Sequence, residues 1–188
     1  MIALCVAHSS SSPGAVSSHI AGLSEYRVSQ EATQACSVAL SARGIANVVL
    51  DFRSMDQIQY LAKRVQAVNG MYPKAMVEIH LNSSGESEKA NYSEAIHHPD
   101  SVSGKGLAHS IVNALGIGLG RSHHWPSKGA RGERLYVTEH THCPTVIVEG
   151  LFISNKEQAE FLADPLGKQA YGMLVAEGIA EWLKGDIS

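Results

Sequence analysis

Three runs, residues 2–7, 75–81 (apolar but for Glu78 and His80) and 145–148, limit what this chain can fold into. Each has strand length and is too continuous to leave one face in water, so each reads as a strand buried on both sides. Between them the pattern changes to helical period. Val28, Ala32, Ala35, Cys36, Val38, Ala39 and Leu40 form a stripe that opens at Ser24 and stops at Gly44. Ile58, Leu61, Ala62, Val65 and Val68 form another, opened at Ser54 or Asp56 and closed at Asn69 and Gly70. Further strands are expected over 46–52 and, more weakly, 92–97; a helix is expected over 106–119, and helix again over 156–184 with a break near Asp164 and Pro165. Residues 83–91 read as a polar loop, 120–134 as a long Gly-, Ser- and His-rich loop, and 135–137 as a short strand. Strands that alternate with helices and are apolar along most of their length imply an α/β fold, a mostly parallel sheet with helices on both faces. No repeat or linker interrupts the 188 residues, which read as one domain with room for a proper core.

A net charge of -3 offers no electrostatic case for nucleic acid. No apolar stretch is long enough to span a bilayer, and no charged segment precedes the first run as a secretory signal would require. The chain is therefore expected in the cytoplasm as synthesised. Cys5, Cys36 and Cys143 are widely spaced in apolar surroundings and read as buried free thiols, not as a disulfide framework or a thiolate metal site.

In open sheets of this class, ligands gather beyond the carboxyl ends of the strands. His8, His80 and Glu149 fall at such ends, and Glu25 opens the helix that follows the first strand at the same edge. A carboxylate that follows a buried strand is costly unless paired, bound to a cation or used, the alternative being a Glu149 side chain that escapes to solvent. Gly150 beside it marks a sharp turn or a close approach. Two imidazoles and a carboxylate with one position left for water are a recurring composition of catalytic zinc sites. Along the third strand Glu78, His80 and Asn82 share a face, which makes Asn82 a candidate to orient a ligand or bond a substrate. The chain has ten histidines; His97, His98, His123, His124, His140 and His142 lie in loops or weak strands and read as solvated or locally bonded.

The ordered motifs say more than any one of them. They are H-S-S-S-S-P-G-A from His8 to Ala15, Gly22 with Glu25, Arg53 with Asp56, Arg64 with Val68 and Asn69, I-H-L-N over 79–82, and P-T-V-I-V-E-G-L-F-I-S-N from Pro144 to Asn155. Together they resemble the zinc-dependent N-acetylmuramoyl-L-alanine amidases of the type 3 group, which include bacterial autolysins and phage endolysins. The resemblance implies that His8, Glu25 and His80 bind Zn2+ and that Glu149 is the catalytic carboxylate, in a twisted mixed sheet of about six strands. It implies hydrolysis of the amide between N-acetylmuramic acid and L-alanine in peptidoglycan, with Glu149 as general base to a zinc-activated water. The chain departs from the pattern at Ser9 and Ser10 (usually Gly-Gly), at Ser29 (usually Asn) and at Glu78 (usually Ser). Glu78 is thus an added carboxylate facing the site, a candidate substrate contact or the partner of a cation such as Arg131. Arg131 is itself a candidate oxyanion or substrate contact, against the alternative of a solvated loop arginine.

Two other readings stay open. Zinc amidohydrolases and carboxypeptidases of small soluble substrates also use two His and one Glu, although the long polar loops here argue against them. A wall-binding module with a dead site would not be expected to keep His8, Glu25, His80 and Glu149 intact. With no separate wall-binding domain and no secretory signal, the pattern favours a phage-type endolysin or cytoplasmic protein that reaches the wall after release. The expected partner is peptidoglycan, with neither nucleic acid nor membrane insertion.

Overall fold

The computed structural model describes residues 1–53, 57–85 and 89–185, with the backbone alone over 57–60. Strands β1 (Ile2–Val6), β2 (Asn47–Leu50), β3 (Ala75–Asn82), β4 (Ser93–His97), β5 (Ser127–Gly132) and β6 (Thr145–Phe152) form one six-stranded sheet in the order β2-β1-β3-β6-β4-β5. β2, β1, β3 and β6 run parallel, β4 is antiparallel to β6, and β5 is parallel to β4. The mostly parallel, mixed α/β sheet is as expected.

The helices are α1 (Glu25–Ala42), α2 (Gln57–Met71), α3 (Val102–His123), α4 (Tyr136–His140), α5 (Lys156–Ala163) and α6 (Pro165–Gly185). Strand alternation sorts them onto two faces. Leu4, Val77, Ile79, Val146 and Val148 enter the larger core with Val28 and Leu40 of α1, Ile111 and Leu115 of α3, and Val175 and Ile179 of α6. Each such side chain, once buried, contributes roughly 1.5–3 kcal/mol. Ala3, Cys5 and Met76 point the other way, to a small cluster with Val68 of α2 and Val137 of α4. Continuing along β3 from Met76, that second face carries Glu78, His80 and Asn82 in place of apolar residues.

Several expectations need correction. β6 does not end before Glu149 but runs on to Phe152, because Glu149 finds ladder partners in both β3 and β4 and Phe152 pairs with Asn82 of β3. The expected loop over 120–134 is the last turn of α3, capped by His124 at φ 58, followed by β5. As an edge strand, β5 has the sequence S-K-G-A-R-G and no apolar alternation to reveal it. Residues 135–137 begin helix α4, where the Thr138 hydroxyl accepts from the Leu135 N–H at 2.9 Å. α3 opens earlier than expected, with Ser101 as a cap that accepts from Gly104 N–H at 3.0 Å. Val38 in the first stripe faces solvent, and Ser24 sits at the N-cap without a capping side-chain bond. The helix opening expected at Ser54 or Asp56 and part of the polar loop, 86–88, lie outside the described residues. The break at Asp164 is as expected, with Pro165 at the first position of α6. The three cysteines are free thiols, Cys5 and Cys36 buried and Cys143 half-buried. Among the described residues no helix is long and apolar enough to cross a membrane.

Candidate metal centre and active site

β1 and β3 are neighbours and parallel, so His8, two residues past the end of β1, and His80, near the end of β3, emerge on the same edge. The first turn of α1 opens into the crevice between them. Its Glu25 carboxylate bridges the rings: Oε1 lies 2.9 Å from His80 Nδ1 and Oε2 3.0 Å from His8 Nε2. One ligand atom from each of the three falls within 4.8 Å of the others, and among the described residues this is the one such cluster of His, Cys, Asp or Glu. Backbone donors hold the carboxylate in place, Leu81 N–H to Oε1 and Ala15 N–H to Oε2, each at 3.0 Å. The positive end of the helix dipole adds to this.

The loop that closes over the cluster needs a glycine. Gly14 has φ +71, and a Cβ there would lie 2.5 Å from Glu25 Oε2 and 2.6 Å from the His8 ring. His8 itself adopts φ 62, an uncommon conformation for a side-chain-bearing residue.

Three helices fasten the ligand-bearing strands. Ser29 of α1 accepts from Ala7 N–H at 2.7 Å and donates to the Ile79 carbonyl at 2.6 Å, so it grips the residue before each histidine. From α2, the fully buried Arg64 donates to the Val6 carbonyl at 2.7 Å and pairs with Glu78. The second Glu78 oxygen lies 3.3 Å from His80 Nε2. The buried Tyr171 hydroxyl of α6 donates to the His80 carbonyl at 2.8 Å and accepts from Gly150 N–H at 3.1 Å.

Glu149 stands opposite His80 in the β3–β6 ladder and opposite Glu94 in the β6–β4 ladder. Register partners project to one face, so three ionisable side chains form a row across the sheet. The ladder shifts register between His80 and Asn82. Gly150 serves close approach, not a turn: a Cβ there would lie 2.2 Å from the Tyr171 ring.

Environment sets these groups apart. Burial raises the Glu149 pKa to about 7, the neighbouring His80 opposing and Glu25 and Glu94 reinforcing it. Its Oε2 is buried with no hydrogen-bond partner among the described residues. Burial would also raise Glu25, but hydrogen bonds from His8 and His80 hold it well below the usual carboxylate range. At Glu78 burial is likewise outweighed, first by Arg64 and then by His80, and the pKa falls to about 2. Burial works against a charged His80, yet its hydrogen bonds to Glu25 and Glu78 hold its pKa up at about 10. The cluster therefore stabilises positive charge at its centre, as a divalent cation would supply.

The remaining expected residues fall into place around this row. Asn82 Nδ2 donates to Glu94 Oε1 at 3.3 Å. Arg131 is on a strand, not in a loop, and its Nε lies 3.4 Å from Glu94 Oε2 while its Nη1 pairs with Glu133. Glu78 pairs with Arg64 and not with Arg131, and at 1% exposure it faces His80 where a substrate contact was the expectation. Glu94 and Tyr171 were missed. Only strand alternation marked Glu94, and nothing local to its helix distinguishes Tyr171. Among the other histidines, His97 Nδ1 meets the His98 carbonyl at 2.7 Å and His140 Nδ1 the Tyr136 carbonyl at 2.9 Å, both local, while His19 Nε2 lies 3.2 Å from the distant Ser154 carbonyl.

This geometry has relatives. The profile of the Amidase_3 family, N-acetylmuramoyl-L-alanine amidase, matches residues 2–181. The chain belongs to this family. It is 26% identical over 165 residues to N-acetylmuramoyl-L-alanine amidase LytC of Bacillus subtilis (strain 168), a match covering 87% of the chain and 32% of LytC. The chain thus spans about a third of the length of that curated relative. Among solved structures it resembles the CwlD amidase from Clostridioides difficile, determined in complex with the GerS lipoprotein, with TM-score 0.87, 19% identity and 98% of each chain covered. It also resembles N-acetylmuramoyl-L-alanine amidase AmiC2 of Nostoc punctiforme, with TM-score 0.83, 24% identity, and 97% and 96% of the two chains covered. At these identities the structural likeness speaks for the amidase fold.

Proposed function

We propose that this member of the amidase family hydrolyses the amide bond between N-acetylmuramic acid and L-alanine in peptidoglycan, with a zinc ion held by His8, Glu25 and His80. The observation that carries the reading is Glu149, a half-buried carboxylate whose Oε2 is buried without a hydrogen-bond partner among the described residues, in register beside a cluster of two imidazoles and one carboxylate. That donor set suits zinc and leaves a coordination position open. A zinc ion bound there supplies Lewis acidity, which polarises the scissile carbonyl and makes water acidic near neutral pH.

The chain's own residues do the rest. Glu149, poised near neutrality, takes a proton from the attacking water at Oε2 and returns it to the departing alanine nitrogen. Glu25 stays ionised and fixed by two backbone donors, and so keeps the imidazoles apart from the proton transfer. Asn82, two residues beyond His80 on β3, and Arg131, on the far side of Glu149, are both linked to Glu94 and would meet substrate along the row.

Digestion of purified peptidoglycan tests the bond. The expected products are new amino groups of L-alanine with no rise in reducing ends, abolished by chelator, restored by zinc and absent with Glu149→Gln. New reducing ends would mean a glycosidase, and the amine of another amino acid an endopeptidase. Hydrolysis confined to small N-acyl amino acids would replace the wall substrate with soluble ones. Metal-loaded protein that binds the wall and cleaves nothing would make it a binding module.

A further inference from the structure

The Arg64–Glu78 pair is the most deeply buried ion pair among the described residues, at 0% and 1% exposure, and neither ligand binding nor proton transfer uses it. Burying two charges brings little net stability over a well-packed apolar pair, so its presence points to another role. The hydrogen bonds show one. Glu78 divides its oxygens, Oε1 to Arg64 Nη1 and Oε2 to His80 Nε2 at 3.3 Å. The other ring nitrogen of His80, Nδ1, is the one turned to Glu25 and the cluster. Arg64 uses its second arm, Nη2, on the carbonyl of Val6, two residues before His8 at 2.7 Å from that oxygen. One side chain of α2 therefore reaches both strands that deliver an imidazole.

A carboxylate on the far nitrogen of a metal-binding histidine sets its tautomer and ring orientation and raises its basicity. We propose that Glu78 and Arg64 are positioning residues of the metal centre. Glu78 accepts the Nε2 proton of His80 as a hydrogen bond and leaves the Nδ1 lone pair to the ion. Arg64 anchors the other oxygen of Glu78 and holds the end of β1, and with it His8, at a constant distance from β3. The inference rests on the proposed reading that His8, Glu25 and His80 hold a metal.

Zinc affinity tests it without reference to turnover. The full chain is stripped of metal and titrated with zinc against a chromophoric chelator, with circular dichroism and thermal denaturation of the metal-free form as fold controls. Glu78→Gln is expected to weaken zinc binding about 10–100-fold. Glu78→Asp, which keeps the charge beside Arg64 but draws it back from His80, is expected to fall between Glu78→Gln and the parent. The double variant Arg64→Met with Glu78→Gln removes the stranded guanidinium charge, so it supplies a folded protein if Glu78→Gln alone is unstable. It is expected to regain thermal stability and not zinc affinity. Parent-like zinc affinity in folded Glu78→Gln, or affinity that returns with stability in the double variant, would overturn the proposal and leave the metal site standing. A parent protein that takes up no zinc at all would remove the metal reading and this inference together.

Discussion

His80 and Glu149 are register partners across β3 and β6, yet only His80 is wrapped in hydrogen bonds. Its two ring nitrogens meet Glu25 at 2.9 Å and Glu78 at 3.3 Å, while Glu149 Oε2 meets no donor among the described residues. Adjacent strands thus offer one group that is held in place and one that is free to carry a proton.

That difference separates metal binding from chemistry. His80→Ala should lose most of its zinc, whereas Glu149→Ala should keep about one ion per chain, as elemental analysis of the purified proteins would read. Equal loss in both would make Glu149 a ligand and end its assignment as the proton carrier.

Gly14→Ala should disturb the cluster itself. The added Cβ would stand 2.5 Å from Glu25 Oε2 in a backbone at φ +71. The left-handed conformation alone costs about 1–2 kcal/mol, and the clash should weaken zinc binding as well. Gly22→Ala is the control, since its φ is +77 but its nearest neighbour is the flexible Arg27 side chain at 3.9 Å. It should lose stability and keep zinc affinity. Matching zinc affinities for the two variants would mean that Gly14 matters only for its backbone.

Tyr171→Phe removes one hydroxyl that serves two strands. The Gly150 N–H and the His80 carbonyl would each lose a buried partner, for a cost of about 1–3 kcal/mol. Urea denaturation should show it as a lower midpoint with an unchanged slope. An unchanged midpoint would show that water replaces the hydroxyl at no cost.

Arg131 lies at the rim, side chain 45% exposed, joined to the row through Glu94. Arg131→Ala should therefore raise KM for peptidoglycan and leave kcat nearly unchanged, the signature of lost uniform binding. A fall in kcat at constant KM would instead place the guanidinium against the developing oxyanion.

The apolar runs and helical stripes determined the α/β class, the two-sided burial of β1, β3 and β6, and the convergence of His8, His80 and Glu149 at one edge. These follow from local periodicity, because a strand buried on both faces is apolar along most of its length, and the polar residues that interrupt β3 and β6 stand near their carboxyl ends. Local pattern failed where burial did not govern the choice. The edge strand β5 hides in a Gly- and Ser-rich stretch, and α4 in residues that also suit a strand. Only the tertiary structure decided which partners each polar group found. Glu78 turned to Arg64, Glu94 entered the row beside Glu149, and Tyr171 came from the far end of the chain to close the gap at Gly150. Those pairings depend on strand order and register, which are set by contacts between residues tens of positions apart and leave no mark on the neighbouring sequence.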